Sequence, residues 1–209
     1  MRIGATSDMH GHLPDVPKGL DLLLVAGDIG PATHQYHRDF QFAEHWLTTK
    51  YADWLAHAGC PVVGVAGNHD YIAQAKPELM RSLPWKYLCD SGEEFYGLKF
   101  WGSPWTPKFG PWAFMKKDSE LGQYWTQIPE DTQVLITHGP ARGFGDQVTG
   151  GERVGSPGLG IYLSGLLQLK LHVFGHIHEE AGFFEEREAN VSRVDENYDP
   201  VHPVWEFTI

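Results

Sequence analysis

The chain has 209 residues, a length that suits one domain spanning 1–209, and its 16 Lys+Arg against 27 Asp+Glu give a formal net charge of -11. That balance argues against a nucleic-acid duplex as partner, because duplex phosphates need a basic footprint, but it leaves room for a small anionic substrate drawn to a local metal charge. Cys60 and Cys89 form no CxxC pair, no apolar run could span a bilayer, and the start "MRIGATSDMHG" lacks the apolar centre of a signal peptide; a cytoplasmic protein without disulfides, thiolate zinc or a membrane partner is expected.

In chain order, "MRIGAT" (1–6) and "LDLLLVAG" (20–27) predict buried strands. Residues 38–59 then place Phe42, Trp46, Leu47, Trp54, Leu55 and Ala58 at roughly helical spacing, with Gly59 as the stop. "PVVGVAG" (61–67) predicts a third strand, and "EEFYGLKFWGS" (93–103) a hairpin turning near Gly97. The aromatic stretch 100–115 puts Trp101 in a loop covering the core; Trp105 and Phe109 stay open between that role and a wall against which a nucleobase stacks. "TQVLIT" (132–137) predicts a fourth strand. The Gly-rich run 143–155 lacks the P-loop order and predicts a loop near the site, with Asp146 and Arg153 as an ion-pair candidate. "SPGLGIYLSGLLQLK" (156–170) predicts a second helix, "LHVFG" (171–175) a fifth strand, and the tail further short strands. The class is α/β, built on one mixed sheet or on two sheets packed together.

Every buried run ends in residues that bind metals. Asp8-Met9-His10 follow the first, Asp28 the second, Asn68-His69-Asp70 the third, His138 the fourth, and His176 and His178 the fifth. In open α/β sheets ligands bind at the carboxyl ends of the strands, so these residues are expected around one point. Carboxylate, imidazole and amide oxygen together suit Mn, Fe, Zn or Co. The set is too large for one tetrahedral ion and fits two ions about 3.5–4 Å apart sharing a carboxylate. Such a pair keeps the site positive inside an acidic protein, and phosphate esters are the matching class of anion.

The ordered motifs "SDMHG", "AGD", "AGNHD", "ITHGP" and "FGHIHE" resemble the metallophosphoesterase (calcineurin-like) superfamily. Three stretches, "YGLKFWGSPWTPKFG", "ITHGPARGFGDQVTGGERVG" and "LHVFGHIHE", resemble a narrower subgroup of metallophosphoesterase-domain-containing proteins linked with phosphodiester and cyclic nucleotide hydrolysis. The resemblance implies two packed mixed β-sheets flanked by helices, a four-layer α-β-β-α sandwich. It implies two divalent metal ions, one on Asp8, His10 and His178, the other on Asn68, His138 and His176, with Asp28 bridging. His69 would be the catalytic residue, a phosphate contact or general acid beside the substrate, and a hydroxide between the ions would attack in line.

At the second motif the chain reads "GDIGPA" where many phosphomonoesterases of the superfamily carry G-D-x-x-D-R-G. A monoester dianion profits most from such a guanidinium, so its absence favours a diester, unless Arg142 or Arg153 reaches in. The alternatives are a phosphomonoesterase with the same site and a non-catalytic scaffold of the same fold. Asp70 is expected to cap the following helix in preference to orienting a ligand histidine. His12 is expected at the rim, and His34 and His37 as loop residues or part of the mouth. His45, His57, His172 and His202 are expected to be structural or exposed.

Overall fold

Period-two alternation sorts the buried strands between two faces. In the computed structural model, which describes residues 1–185 and 187–209, the first three predicted strands form as β1 (Arg2–Thr6), β2 (Leu22–Ala26) and β3 (Val62–Val65). Leu22, Leu24 and Ala26 of β2 face a core shared with Ile3, Ala5, Val63 and Val65, whereas Leu23 and Val25 face a second core beneath helices. Such strands are apolar on both faces, as sheets covered on both sides require.

Between β2 and β3 lie α1 (His34–Arg38), α2 (Phe40–Trp46) and α3 (Ala52–Ala56), the last two joined by a wider helical turn at Leu47–Tyr51. The helix expected from residue 38 starts at Phe40 because the Asp39 carboxylate accepts the N–H groups of Gln41 and Phe42. After β3 come α4 (Tyr71–Ala75), α5 (Pro77–Ser82) and the short β4 (Lys86–Tyr87). The predicted hairpin is β5 (Ser91–Phe95) and β6 (Leu98–Ser103). Its register pairs Phe95 with Leu98, leaving a two-residue turn in which Tyr96 (φ 53°) and Gly97 (φ 76°) are both left-handed.

A two-stranded ribbon, β7 (Thr106–Pro107) and β8 (Met115–Lys116), leads to α6 (Asp118–Trp125) and β9 (Val134–Thr137). The helix expected over 156–170 is shorter: α7 covers Pro157–Leu163. Beyond it the chain turns at Gly165, whose N–H reaches Tyr162 O, and folds Leu166 and Leu169 back into the core. β10 (Leu171–Phe174), β11 (Gly182–Phe184), β12 (Glu188–Asn190) and β13 (Trp205–Thr208) complete the chain.

One sheet has the order β13-β1-β2-β3-β4, parallel except for β13. The other has the order β11-β12-β10-β9-β6-β5, parallel at its centre and antiparallel at both edges. Val134, Ile136, Leu171 and Val173 of the second sheet meet Ile3, Leu24 and Val65 of the first. Outside the first sheet, Leu47, Tyr51 and Leu55 cover Leu23 and Val25; outside the second, Leu121, Trp125, Leu159 and Leu163 cover Leu135. Two mixed sheets flanked by helices are thus the architecture, and of the two sheet arrangements expected, the packed pair is the one formed. Among the described residues, no helix is long and apolar enough to cross a membrane.

Leu24 is fully buried between the sheets. Leu24→Ala should lower stability by about 2–5 kcal/mol, read as a fall in the urea midpoint of the metal-free protein.

Candidate metal centre

The carboxyl ends of β1, β2, β3, β9 and β10 bring the predicted residues together, and backbone hydrogen bonds from one strand end to the next fix their positions. Asp8 N–H donates to Gly27 O (3.0 Å), His10 N–H to Asp28 O (3.0 Å), and Gly175 N–H to His138 O (2.9 Å). Asp8 (φ 49°), His10 (φ 43°), Asp28 (φ 51°) and His176 (φ 74°) are all left-handed. Each such residue costs about 1–3 kcal/mol and persists only where its surroundings over-determine it.

The two carboxylates are held alike, each by one oxygen. Asp8 Oδ2 accepts His176 N–H (2.9 Å) and Ser192 Oγ–H (2.9 Å); Asp28 Oδ1 accepts His69 N–H (2.7 Å). The other oxygens face imidazoles. Asp8 Oδ1, without a hydrogen-bond partner, lies 3.4 Å from His178 Nε2. Asp28 Oδ2 lies 3.5 Å from His138 Nε2, 3.8 Å from His10 Nε2 and 3.9 Å from His69 Nε2.

Second partners set the tautomers. His138 Nδ1 lies 2.9 Å from Ala26 O and His178 Nδ1 3.1 Å from Asp195 O. A carbonyl only accepts, so both rings carry a proton on Nδ1. The Nε2 atoms then point at acceptors: His138 Nε2 at Asn68 Oδ1 (2.7 Å) and Asp28, His178 Nε2 at Asp8 and at His10 Nε2 (3.4 Å). Lone pairs facing lone pairs in a buried space require a proton or a cation between them. Asp8, His10 and His178 form one group with ligand distances, Asp8, Asp28 and His138 another, and His10, Asp28 and His69 a third. The residues therefore fit divalent metal ions. His176 stacks edge-on to His138 with ring centres 5.0 Å apart.

Burial opposes ionisation of Asp28, but His138 and His69 outweigh it and hold the carboxyl well below the usual range. Asp8 is likewise held low, burial being overcome by His178. Burial pushes His10 down to about 4, and burial together with His138 pushes His176 down to about 3. Both rings are neutral and keep a lone pair. His138 is also penalised by burial, yet the Asp28 carboxylate raises it to about 9. His178 is raised too, Asp8 prevailing over burial.

Contrary to the expectation from the sequence, Asp70 does not cap α4; no side-chain cap bond forms there. It is buried and accepts N–H groups from Gly67 (2.8 Å) and Ile29 (3.2 Å), clamping the ends of β2 and β3 together. Burial and the nearby Asp28 charge raise its pKa to about 7. His37 lines the mouth with its Nε2 3.0 Å from His69 Nδ1, His34 is exposed, and His12 lies at the rim. Trp105 packs on Tyr124 and donates to Asp90. Phe109 is 65 % exposed, 5.5 Å from the His176 ring. Arg153 pairs with Asp146 (2.6 Å), and Arg142 donates to Arg153 O, so both guanidinium groups are engaged in their own loop. Ser192, Asp195 and Tyr198, whose ring lies 4.7 Å from His10, escaped the sequence reading. They sit in an irregular polar stretch with no period or motif.

A family model described as calcineurin-like phosphoesterase matches residues 1–180. The chain is 41% identical to the metallophosphoesterase domain-containing protein 1 of Homo sapiens, and equally to that of Mus musculus, over 97% of this chain and 69% of each relative. A UPF0046 protein of Caenorhabditis elegans is 36% identical over 56% of this chain and 33% of its own length. A solved crystal structure shares the fold, with TM-score 0.61 at 14% identity, over 90% of this chain and 89% of that one.

A Cβ on Gly175 would lie 1.9 Å from Asp8 Oδ2. Gly175→Ala should therefore weaken Mn binding by about tenfold or more by isothermal titration calorimetry, with the circular dichroism spectrum kept. In the wild type, Mn uptake near pH 7 should release protons, because His138 gives up its Nε2 proton to bind; titration in two buffers of different ionisation enthalpy measures this.

Proposed function

The chain belongs to the calcineurin-like phosphoesterase family, and on that footing we propose that it is a metal-dependent phosphodiesterase working through a dinuclear site. The observation that carries this reading is the buried convergence of two carboxylates, an amide oxygen and several imidazole nitrogens on one point. Asp8, His10 and His178 would hold one ion, Asn68, His138 and His176 the other, and Asp28 both. When bound, divalent ions (Mn, Fe, Zn or Co) supply positive charge for the phosphoryl oxygens and make water a stronger nucleophile at neutral pH.

The protein's own residues supply orientation and a proton. Water oxygen bonds to phosphorus, the bond to the leaving oxygen breaks with its electron pair, and His69 Nε2 protonates that oxygen; the surplus proton of water passes to solvent. His69 suits the role because its backbone N–H is tied to Asp28, its Nδ1 is braced by His37, and its ring packs on Trp112 with centres 4.4 Å apart. The side chains lining the clefts on either side of the cluster include Lys108 and no arginine among the described residues. That supports a diester, which carries less charge than a monoester. Cyclic nucleotides come first among natural diesters because of the subgroup that the sequence resembles.

Metal-stripped protein should turn over neither a 4-nitrophenyl diester nor the matching monoester, and Mn should restore the diester rate above the monoester rate. A monoester preference would overturn the diester assignment. His69→Ala should slow hydrolysis of an alkyl leaving group by about 10²–10⁴-fold and spare 4-nitrophenolate, which leaves without a proton. Equal losses on both would remove His69 as the acid.

A further inference from the structure

Two clefts flank the cluster, one on the histidine-rich side and one on the His176 side. One, of about 690 Å³, contains His69, His37, His12, Thr33, Trp112 and Tyr198. The other, of about 540 Å³, begins at His176 and is walled by Pro107, Phe109, Val148, Val154 and Ile177. The second is a recess that opens directly from a ring of the cluster and is lined mainly by apolar side chains, with Lys108 and Glu179 also in its wall. Phe109 is 65 % exposed at its mouth and Val154 is 37 % exposed.

The recess is built before any ligand arrives. Val148 and Val154 belong to a small hairpin in which Val148 N–H donates to Glu152 O (3.0 Å) and Val154 N–H to Asp146 O (2.9 Å). At its root the fully buried Asp146 carboxylate pairs with Arg153 (2.6 Å) and accepts the N–H groups of Gly143 (3.1 Å) and Gly155 (3.2 Å). At its tip Thr149 N–H donates to the carboxylate of Glu179 (2.8 Å), the residue after His178. The opposite wall is set by the β7–β8 ribbon, where Lys108 N–H reaches Lys116 O (2.9 Å). Walls fixed in this way recognise a ligand without a large ordering cost.

Resting on the phosphodiesterase reading, we propose that this recess binds the ester substituent that stays on phosphorus, and that it selects a flat aromatic group stacked on Phe109. His69 lies in the other cleft, so the departing oxygen faces that side. The retained substituent is left with the His176 side, where the walls offer apolar contact and one aromatic face. A small alkyl group fills little of this space; an aryl ring or a heteroaromatic base fills more and stacks.

The test compares phenyl 4-nitrophenyl phosphate with methyl 4-nitrophenyl phosphate in the Mn-loaded protein. They share a leaving group and a charge and differ only in what stays. The ratio of kcat/KM, phenyl over methyl, should fall about tenfold in Phe109→Ala, the loss expected of one stacking face. Val154→Asp, on the other wall, should lower the ratio as well. Calorimetry on the products gives a readout without turnover: phenyl phosphate should bind more tightly than methyl phosphate, and Phe109→Ala should remove the difference. Turnover of both diesters with a ratio unchanged in both variants would overturn the recess alone. No metal-dependent turnover of either diester, together with no binding of either product, would overturn the phosphodiesterase reading and the recess with it.

Discussion

The architecture of the site depends on two carboxylates buried at the seam between the sheets. Ionised carboxylates in such a place cost several kcal/mol each unless hydrogen bonds and opposite charge compensate them. Asp8 and Asp28 meet this cost in the same way. One oxygen of each is anchored by a backbone N–H from a later strand end, His176 for Asp8 and His69 for Asp28, and the other oxygen is turned to imidazoles. Anchoring therefore couples the strand ends pairwise, and the ligand-facing oxygens inherit their positions from the sheets. The left-handed backbone at Asp8, His10, Asp28 and His176 follows from the same demand, since each chain must turn sharply at its strand end to bring a side chain inward.

The glycines at the site state the constraint in steric form. A Cβ on Gly67 would lie 2.2 Å from Asp28 Oδ1. Together with Gly175, this makes the glycine that precedes each of the third and fifth ligand groups the space that its carboxylate occupies. Asp70 adds a polar tie by accepting N–H groups from both the second and third strand ends. A family membership first suggested by five short motifs thus has a physical basis: the motifs bond to one another.

What the sequence made legible was local. The five buried strands, the turn at Tyr96–Gly97 and the helical run ended near Gly59 follow from period, propensity and turn chemistry, and each formed within a few residues of its expected bounds. The helix expected over 156–170 ends early because Leu166 and Leu169 keep a helical spacing while serving a turn. The convergence of Asp8, Asp28, Asn68, His138 and His178 was legible because strand ends in α/β sheets share an edge. Asp70 departs from expectation because capping is a local rule, whereas this carboxylate ties Gly67 to Ile29 and Gly30 about forty residues away. Ser192, Asp195 and Tyr198 carried no signal, since their roles depend only on where the tail returns.

The bond between Asp8 and Ser192 joins residues 184 positions apart. Contacts of such separation need a long loop to close before they contribute, whereas the β5–β6 hairpin joins neighbouring segments. A chain whose tail has not returned to the first strand end lacks the tie from Ser192 to Asp8, so its ligand set is incomplete. An ion that needs the whole ligand set would bind only the finished fold and would deepen the native basin by mass action.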